Sequence, residues 1–198
     1  MKVSLIVPTY KDIVALKLIL NALKRQTYKN FEVIVAEDDN SEEVKNYLKN
    51  FNFNYQIKHI VQEDKGLRKA KAVNSAVQIS TGEYLIYIDG DTIPYSTFID
   101  AHVSLAQEKR VLCGRRVNLG DKVSKDLREE KISSFELENH YLSKILYLNK
   151  DNIRHYEQGF YFKPTGFIHK TLAKRDLNMH IVASNFSCYK KDMLAING

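Results

Sequence analysis

The chain has 198 residues, 44% of them apolar and 27% charged. That is enough for one domain with a real core, and it excludes a disordered chain, a collagen-like repeat and a disulfide scaffold. The net charge of +6 is a mild excess; it suits a phosphate-bearing partner without choosing among a nucleotide, a lipid headgroup and nucleic acid.

No apolar run reaches the length of a bilayer span, which excludes a transmembrane helix. Lys2 and the short run VSLIV, ended by Pro8 and Thr9, read as a buried strand rather than a signal peptide. The expected location is the cytoplasm, with peripheral contact at the inner membrane face as an option. Cys113 and Cys188 stand far apart; two such residues make no zinc site and read as reduced, buried thiols. The six histidines show no metal-ligand spacing.

In chain order, residues 3–7 form a continuous apolar run, as in a parallel strand buried on both faces. Leu16, Ile19, Leu20 and Leu23 then fall at helical spacing, the stripe of a helix lying on a sheet. FEVIVA at 31–36 is a second buried strand. Ser41 precedes a polar helix with Glu42 and Glu43 in its first turn, where the macrodipole favours negative charge. Residues 55–61 are a weaker strand. Ala70, Val73 and Val77 mark a third helix, closed by Thr81 and Gly82, and YLIYI at 84–88 is a fourth strand. This βαβαβαβ order predicts an α/β fold: a mostly parallel sheet flanked by helices. Beyond Pro94, the pattern predicts a helix over 98–107 and a strand over 111–115. A mostly helical stretch follows over 125–148, with Leu142, Ile145 and Leu146 as its apolar stripe. A strand over 181–189 and a short helix to Ile196 complete the reading; residues 156–171 are left unassigned.

Open α/β sheets bind ligands beyond the carboxyl ends of their strands. Three strand ends here carry polar groups: Thr9 and Tyr10 after the first, Glu37, Asp38 and Asp39 after the second, Asp89 and Asp91 after the fourth. In an extended segment Asp89 and Asp91 point the same way and can present oxygens to one cation, while Gly90 admits a ligand close to the backbone. Few carboxylates suit Mg²⁺ or Mn²⁺ bridged to a diphosphate, because phosphates and water complete the shell. The bland alternative is a solvated acidic turn. Asp38 or Asp39 could cap the helix after Ser41, or one of them could accept a hydrogen bond from a nucleobase N–H, which uracil and guanine both offer. Arg68, Lys69 and Lys71 fall near a helix start, where cations oppose the dipole unless an anion is bound. Arg68 is the better fork for a diphosphate; Lys69 and Lys71 fit a solvated basic face equally well.

VSLIVPTYKD, QTYKNFEVIVAEDDNS, GLRKAKAVNSA and TGEYLIYIDGDTIP, in that order and spacing, resemble successive motifs of inverting family 2 glycosyltransferases of the GT-A fold. CGRRVNLG at 113–120 and SNFSCYKKDMLAING at 184–198 resemble later segments of the same family. The resemblance is strongest over 1–95 and is closest to bacterial members that build surface polysaccharide or lipopolysaccharide. It implies one GT-A domain over 1–198, with a nucleotide-binding half at 1–95 and an acceptor-side half at 96–198. It implies that Pro8, Thr9 and Tyr10 line a nucleoside pocket, that Asp39 binds the base, and that Arg68 contacts base or diphosphate. Asp89 and Gly90 would sit at the ribose and diphosphate. Asp91, with Asp89, would hold a divalent metal, Mn²⁺ or Mg²⁺, acting as a Lewis acid on the leaving group. Asn185 and Ser187 would lie near the sugar or acceptor. The implied donor is a nucleotide sugar, UDP-linked first, and the acceptor a glycan or lipid-linked.

An inverting transfer needs a carboxylate near the acceptor hydroxyl. In the family a Glu-Asp pair including this base follows a segment like AING, so the resemblance implies a base beyond Gly198 and a chain that is C-terminally truncated. Asp192 is a poor substitute, since it falls in the preceding helix. Basic and aromatic residues between 122 and 170 could cover an acceptor or a membrane surface, or form an ordinary surface. A sugar nucleotidyltransferase would need a Gly-rich loop after the first strand, whereas Tyr10, Lys11 and Asp12 stand there. A binding module without transfer activity is the other alternative. Basic residues interleaved with acids argue against nucleic acid.

Overall fold

The computed structural model describes residues 1–66, 68–149, 151–164, 166–175 and 184–196. Four parallel strands, β1 (Val3–Thr9), β2 (Phe31–Glu37), β3 (Gln56–Val61) and β4 (Tyr84–Ile88), are joined by α1 (Ile13–Leu23), α2 (Glu42–Asn50) and α3 (Lys69–Ile79). The second half contributes α4 (Phe98–Ser104), β5 (Leu112–Cys113), α5 (Asp121–Arg128), α6 (Ser134–Asn139), α7 (Tyr141–Asn149), a 3₁₀ turn (Tyr156–Gly159), α8 (Phe167–Arg175), β6 (Asn185–Tyr189) and α9 (Lys190–Ala195). The sheet order is β3-β2-β1-β4-β6-β5, with β6 antiparallel to β4 and β5 antiparallel to β6.

Every residue of β1, β2 and β4 is buried, as continuous apolar runs in a doubly covered sheet require. Leu16, Ile19, Leu20 and Leu23 of α1 pack with Leu5, Val7, Val33 and Val35 on one face. Ala72, Ala76 and Val77 of α3 pack with Ile6, Ile34 and Leu85 on the other. The α3 stripe therefore differs from expectation: Ala70 is exposed, because the helix begins only at Lys69 and turns its inner face from Ala72 onward. Strand β3 is half-exposed, as an edge strand is. In α2, Ser41 is the cap, its Oγ accepting from the N–H groups of Glu43 and Val44.

The second half departs further. The predicted 125–148 helix is three helices around their own core of Val123, Leu127, Leu137, Tyr141 and Leu148. Glu130 takes a positive φ after α5, and Ser133 caps α6 by accepting from the Glu136 N–H. Leu142 is exposed; the side chains of Ile145 and Leu146 lie outside the described residues. The predicted 98–107 helix ends at Ser104. The 111–115 strand shrinks to Leu112–Cys113, with the Gly114 N–H still donating to the Asn185 carbonyl at 3.0 Å. Of the 181–189 strand, β6 covers 185–189, and 181–183 lie outside the described residues, as do Asn197 and Gly198. Residues 156–171 hold the 3₁₀ turn and the start of α8. Cys113 and Cys188 are both free thiols, Cys188 buried and Cys113 partly so.

The amino ends of the strands are locked by one buried carboxylate. Glu32 Oε1 accepts from Ser4 Oγ (2.6 Å) and from the Thr81 N–H (2.6 Å), Lys58 Nζ stands 2.9 Å from its Oε2, and the Gly82 N–H donates to Ser4 Oγ. A Cβ on Gly82 would meet the β1 backbone at 2.4 Å, so the turn before β4 needs glycine there. Burial alone would raise the Glu32 carboxyl, but the bonds from Ser4, Thr81 and Lys58 outweigh it and hold it at about 2. A carboxyl held below its unfolded value contributes stability that is complete above about pH 4.5 and lost as pH falls towards 2. Chemical denaturation at stepped pH should therefore show a steeper stability loss in that window for the wild type than for Glu32→Gln; equal slopes would refute this role.

Candidate functional site

The registers Thr9↔Glu37 and Glu37↔Val61 bring the carboxyl ends of β1, β2 and β3 level. A cleft of about 320 Å³ opens there, lined among others by Pro8, Thr9, Tyr10 and Ala36 on one side and by Asp89, Gly90 and Asp91 on the other. The Asp38 N–H donates to the Thr9 carbonyl (3.0 Å), and the Asp89 N–H to the Ser184 carbonyl (3.2 Å). The segment from Asp89 is not extended as expected: the Thr92 N–H donates to the Asp89 carbonyl (3.1 Å), closing a turn. Both carboxylates still face the cleft. Gly90 lines the cleft and has a packing reason besides: a Cβ there would sit 2.4 Å from the Pro8 carbonyl oxygen, so glycine lets the turn after β4 close against β1.

The three acids after β2 divide by their partners. Glu37, fully buried, accepts from the Ser41 N–H and pairs with His59 Nε2. Asp38, also buried, accepts from the Arg68 N–H and from Gln62 Nε2, which ties the start of α3 to β2. Neither Asp38 nor Asp39 caps α2. Asp39 keeps one buried oxygen, Oδ1, with no hydrogen-bond partner. Burial raises the Asp39 carboxyl, the Lys11 backbone N–H lowers it, and Glu37 adds a further raising charge. A buried, unpartnered carboxylate oxygen is costly, and it is suited to receive an N–H donor.

The cations are arranged differently from the sequence expectation. Arg68 donates from Nη2 to the Glu63 carbonyl and does not line the cleft. Lys69 does line it, and its ammonium pairs with Asp89 Oδ1. Arg116 Nη1 lies 3.9 Å from Asp89 Oδ2. Arg128 clamps Asp12 through two bonds, at 3.0 and 2.6 Å, while Asp12 caps α1 through the Ala15 N–H. The Arg128 bonds hold the Asp12 carboxyl below its usual range. At the rim, Lys11 Nζ pairs with Asp64 Oδ2 at 2.7 Å, linking the loops after β1 and β3. Sequence reasoning missed Arg116, Arg128 and Asp12; their only signal is charge brought close by the fold.

Asp91 also borders a second, larger cavity of about 620 Å³ between α4 and the second-half helices. Tyr95, Tyr141, Phe160 and Tyr161 give it aromatic walls; Arg115, Arg116 and Arg128 give it cations. Asn185 lines this cavity, as Asp91 does. Ser187 does not: it is fully buried in β6, bonded to Tyr84 and His102. Two residues apart on one strand, the pair share a face, but only Asn185 sits at the strand end where the cavity opens. Among the described residues, no group of three or more His, Cys, Asp or Glu gathers to hold a metal ion, and no helix is long and apolar enough to cross a membrane.

Comparison with known proteins agrees with this architecture. The sequence profile of "Glycosyl transferase family 2" matches residues 4–194. Validoxylamine A glucosyltransferase of Streptomyces hygroscopicus subsp. jinggangensis is 29% identical over 115 residues, 55% of this chain and 27% of that protein. Glycosyltransferase AglE of Haloferax volcanii is 30% identical over 104 residues, 52% of this chain and 34% of that protein. The chain thus spans roughly a quarter to a third of the length of these relatives. Mannosyltransferase PcManGT from Pyrobaculum calidifontis, solved in complex with GDP-Man and Mn²⁺, superposes with a TM-score of 0.50 at 23% identity over 58% of this chain and 35% of that one, a likeness of fold.

The different surroundings of Asp38 and Asp39 are separable by mutation. Asp38→Ala strands two donors and should lower unfolding free energy by about 2 kcal/mol. Asp39→Asn removes a charge with an unpartnered oxygen and should change it by less than about 1 kcal/mol. Urea denaturation of both variants checks this; equal losses would mean that Asp39 is structural too.

Proposed function

The chain belongs to glycosyl transferase family 2, and we propose that its smaller cleft binds the nucleoside diphosphate of a sugar donor while the larger cavity receives the acceptor. Its fold is of the GT-A type. The observation that carries the proposal is the cleft at the carboxyl edge of the sheet that holds the Asp89 and Asp91 carboxylates after β4, Asp89 with its cations Lys69 and Arg116, while Asp39, with an unpartnered oxygen, follows β2 on the same edge. The carboxylates and cations match a ribose and a diphosphate; the Asp39 oxygen matches a nucleobase N–H. On this reading residues 1–95 serve the nucleotide and residues 96–198 the acceptor.

In the proposed arrangement Pro8, Thr9 and Tyr10 wall the nucleoside, Asp39 accepts from the base, and Asp89 faces the ribose. Lys69 and Arg116 already face Asp89, so they are placed to exchange that carboxylate for phosphate oxygens. Asp89 and Asp91 are hard oxygen donors, the type that Mg²⁺ and Mn²⁺ take. Both oxygens of Asp89 face cations, so Asp91 would be the principal ligand and Asp89 the second. Such a cation supplies Lewis-acid stabilisation of the charge that develops on the departing diphosphate. The sugar then lies over Asp91, where the two spaces meet, with Asn185 beside it. An acceptor hydroxyl attacks the anomeric carbon from the larger cavity with inversion, the bond to the diphosphate oxygen breaks, and the hydroxyl proton passes to a general base that the described residues do not identify. The aromatic walls suit a glycan ring or the apolar part of a lipid-linked acceptor. Asp192 is poorly placed as the base: it lies on α9, and its Oδ2 accepts from the Lys109 N–H at 2.7 Å.

Calorimetric titration of UDP into the chain, with and without Mn²⁺, tests the donor site, with GDP as control. Metal-dependent UDP binding that weakens at least about tenfold in Asp91→Ala is the expected result. Binding of GDP in place of UDP would keep the site and change the donor class. Binding of neither, in a folded chain, would overturn the proposal.

A further inference from the structure

His102 is 4% exposed, and both of its ring nitrogens are bonded. Nε2 lies 2.9 Å from Asn185 Oδ1, an acceptor, so Nε2 carries the hydrogen. Nδ1 is then bare and accepts from Ser187 Oγ at 2.7 Å. With its own hydrogen spent on the ring, Ser187 Oγ accepts from the Tyr84 hydroxyl at 2.7 Å. At the far end, Asn185 Nδ2 donates to the Arg115 carbonyl at 3.3 Å. One direction of donation therefore runs through the β4 side chain, the β6 serine and the α4 histidine, and out through the β6 asparagine to the segment after β5. Burial pushes the imidazole down to about 4, against the raising effect of the Asn185 bond, so the ring is neutral. Phe98, one turn earlier on α4, packs edge-on at 4.7 Å and fixes its plane.

Asn185 in turn governs what leaves β5. The Gly114 N–H donates to the Asn185 carbonyl at 3.0 Å. The Asn185 amide lies so close over Gly114 that a Cβ would stand 2.1 Å from Nδ2. Two residues on, Arg116 reaches Asp89. Asn185 thus holds Gly114 through its carbonyl and Arg115 through its amide, and the Arg116 N–H donates to Gln158 Oε1 at 3.3 Å, so Asn185 sets the start of this segment's course.

We propose that His102 is a positioning residue: in its Nε2–H form it holds the Asn185 amide, and through it residues 114 and 115, so that the next residue, Arg116, reaches Asp89 at the border of the donor cleft. The link to donor binding rests on the function proposed above; the holding of residues 114 and 115 does not. No group in this relay touches the reacting atoms.

Two substitutions separate the ring nitrogens. Glutamine places an amide near the position of Nε2 and can keep the bond to Asn185; asparagine reaches only to the position of Nδ1 and keeps the bond to Ser187. Hydrogen exchange over residues 112–118 should quicken by about tenfold in His102→Asn and by less than about threefold in His102→Gln. The dissociation constant of UDP with Mn²⁺, or of GDP if that is the nucleotide bound, should follow the same order, rising about tenfold in His102→Asn. Equal effects of the two variants, or none, would overturn the proposal, because loss of packing alone does not distinguish them. A variant-free arm guards against misfolding: the ¹⁵N imidazole spectrum of the unmutated chain should show Nε2 protonated and Nδ1 bare, and the reverse tautomer would overturn the proposal. If the unmutated chain binds neither nucleotide, the donor reading fails, and the exchange and tautomer arms still decide whether His102 holds the segment.

Discussion

Burial of β1, β2 and β4 on both faces is the constraint from which the rest follows. A strand covered on both sides carries charge along its length only at the cost of desolvation, repaid by partners. The charged groups of these three strands are few, and the carboxylates among them, Glu32 and Glu37, carry partners. Glu32 shows the repayment: Ser4, Thr81 and Lys58 surround it, and the lock they form closes the amino edge of the sheet. At the opposite edge the parallel register levels the strand termini, so Thr9, Glu37 and the residues after them share one border. The cleft is therefore a consequence of the parallel order and lies where loops must leave the sheet.

That edge combines structural acids with a free one. Glu37 and Asp38 look like ligand groups by position, yet the His59 ring, Gln62 and backbone N–H groups consume their oxygens. Their work is to fix the loops after β2 and β3, and Asp38 also fixes Arg68 at the head of α3. Only after those oxygens are accounted for does the unpartnered oxygen of Asp39 stand out. Preorganisation of this kind matters because a site tightened in advance pays less on binding.

The first half of the fold was legible because each of its elements has one clear period. Runs such as VSLIV and YLIYI mark doubly buried strands, and Leu16, Ile19, Leu20 and Leu23 mark the face of α1. The acids at strand ends were legible for the same reason, since they follow those runs at once. The second half was not, because its helices are short, each ended by a local signal such as Ser133, and they pack around a separate core. Strand β6 joins the sheet about 100 residues after β4, a pairing that no local pattern carries. Within the site, Arg68 and Lys69 are neighbours in sequence, and only the start of α3 decides that Lys69 turns into the cleft. Arg116, Arg128 and Asp12 are ordinary surface charges until the fold brings them together.

The seam between the two halves explains why these charges matter. Arg128 on α5 clamps Asp12 at the head of α1, and Gln26 bridges the Tyr95 carbonyl and the Ile99 N–H. The small cleft and the larger cavity meet along this seam at Asp91. The cations near it already face carboxylates: Lys69 and Arg116 face Asp89, and Arg128 faces Asp12. A diphosphate arriving there adds negative charge that these residues can meet only by giving up their present partners. On the proposed reading, Asp91 would hold a divalent cation whose added charge would offset that of the diphosphate as Lys69 and Arg116 turn from Asp89 to the phosphates. Asp91 suits that task, since it is the exposed carboxylate of the pair after β4 and the one that borders both spaces.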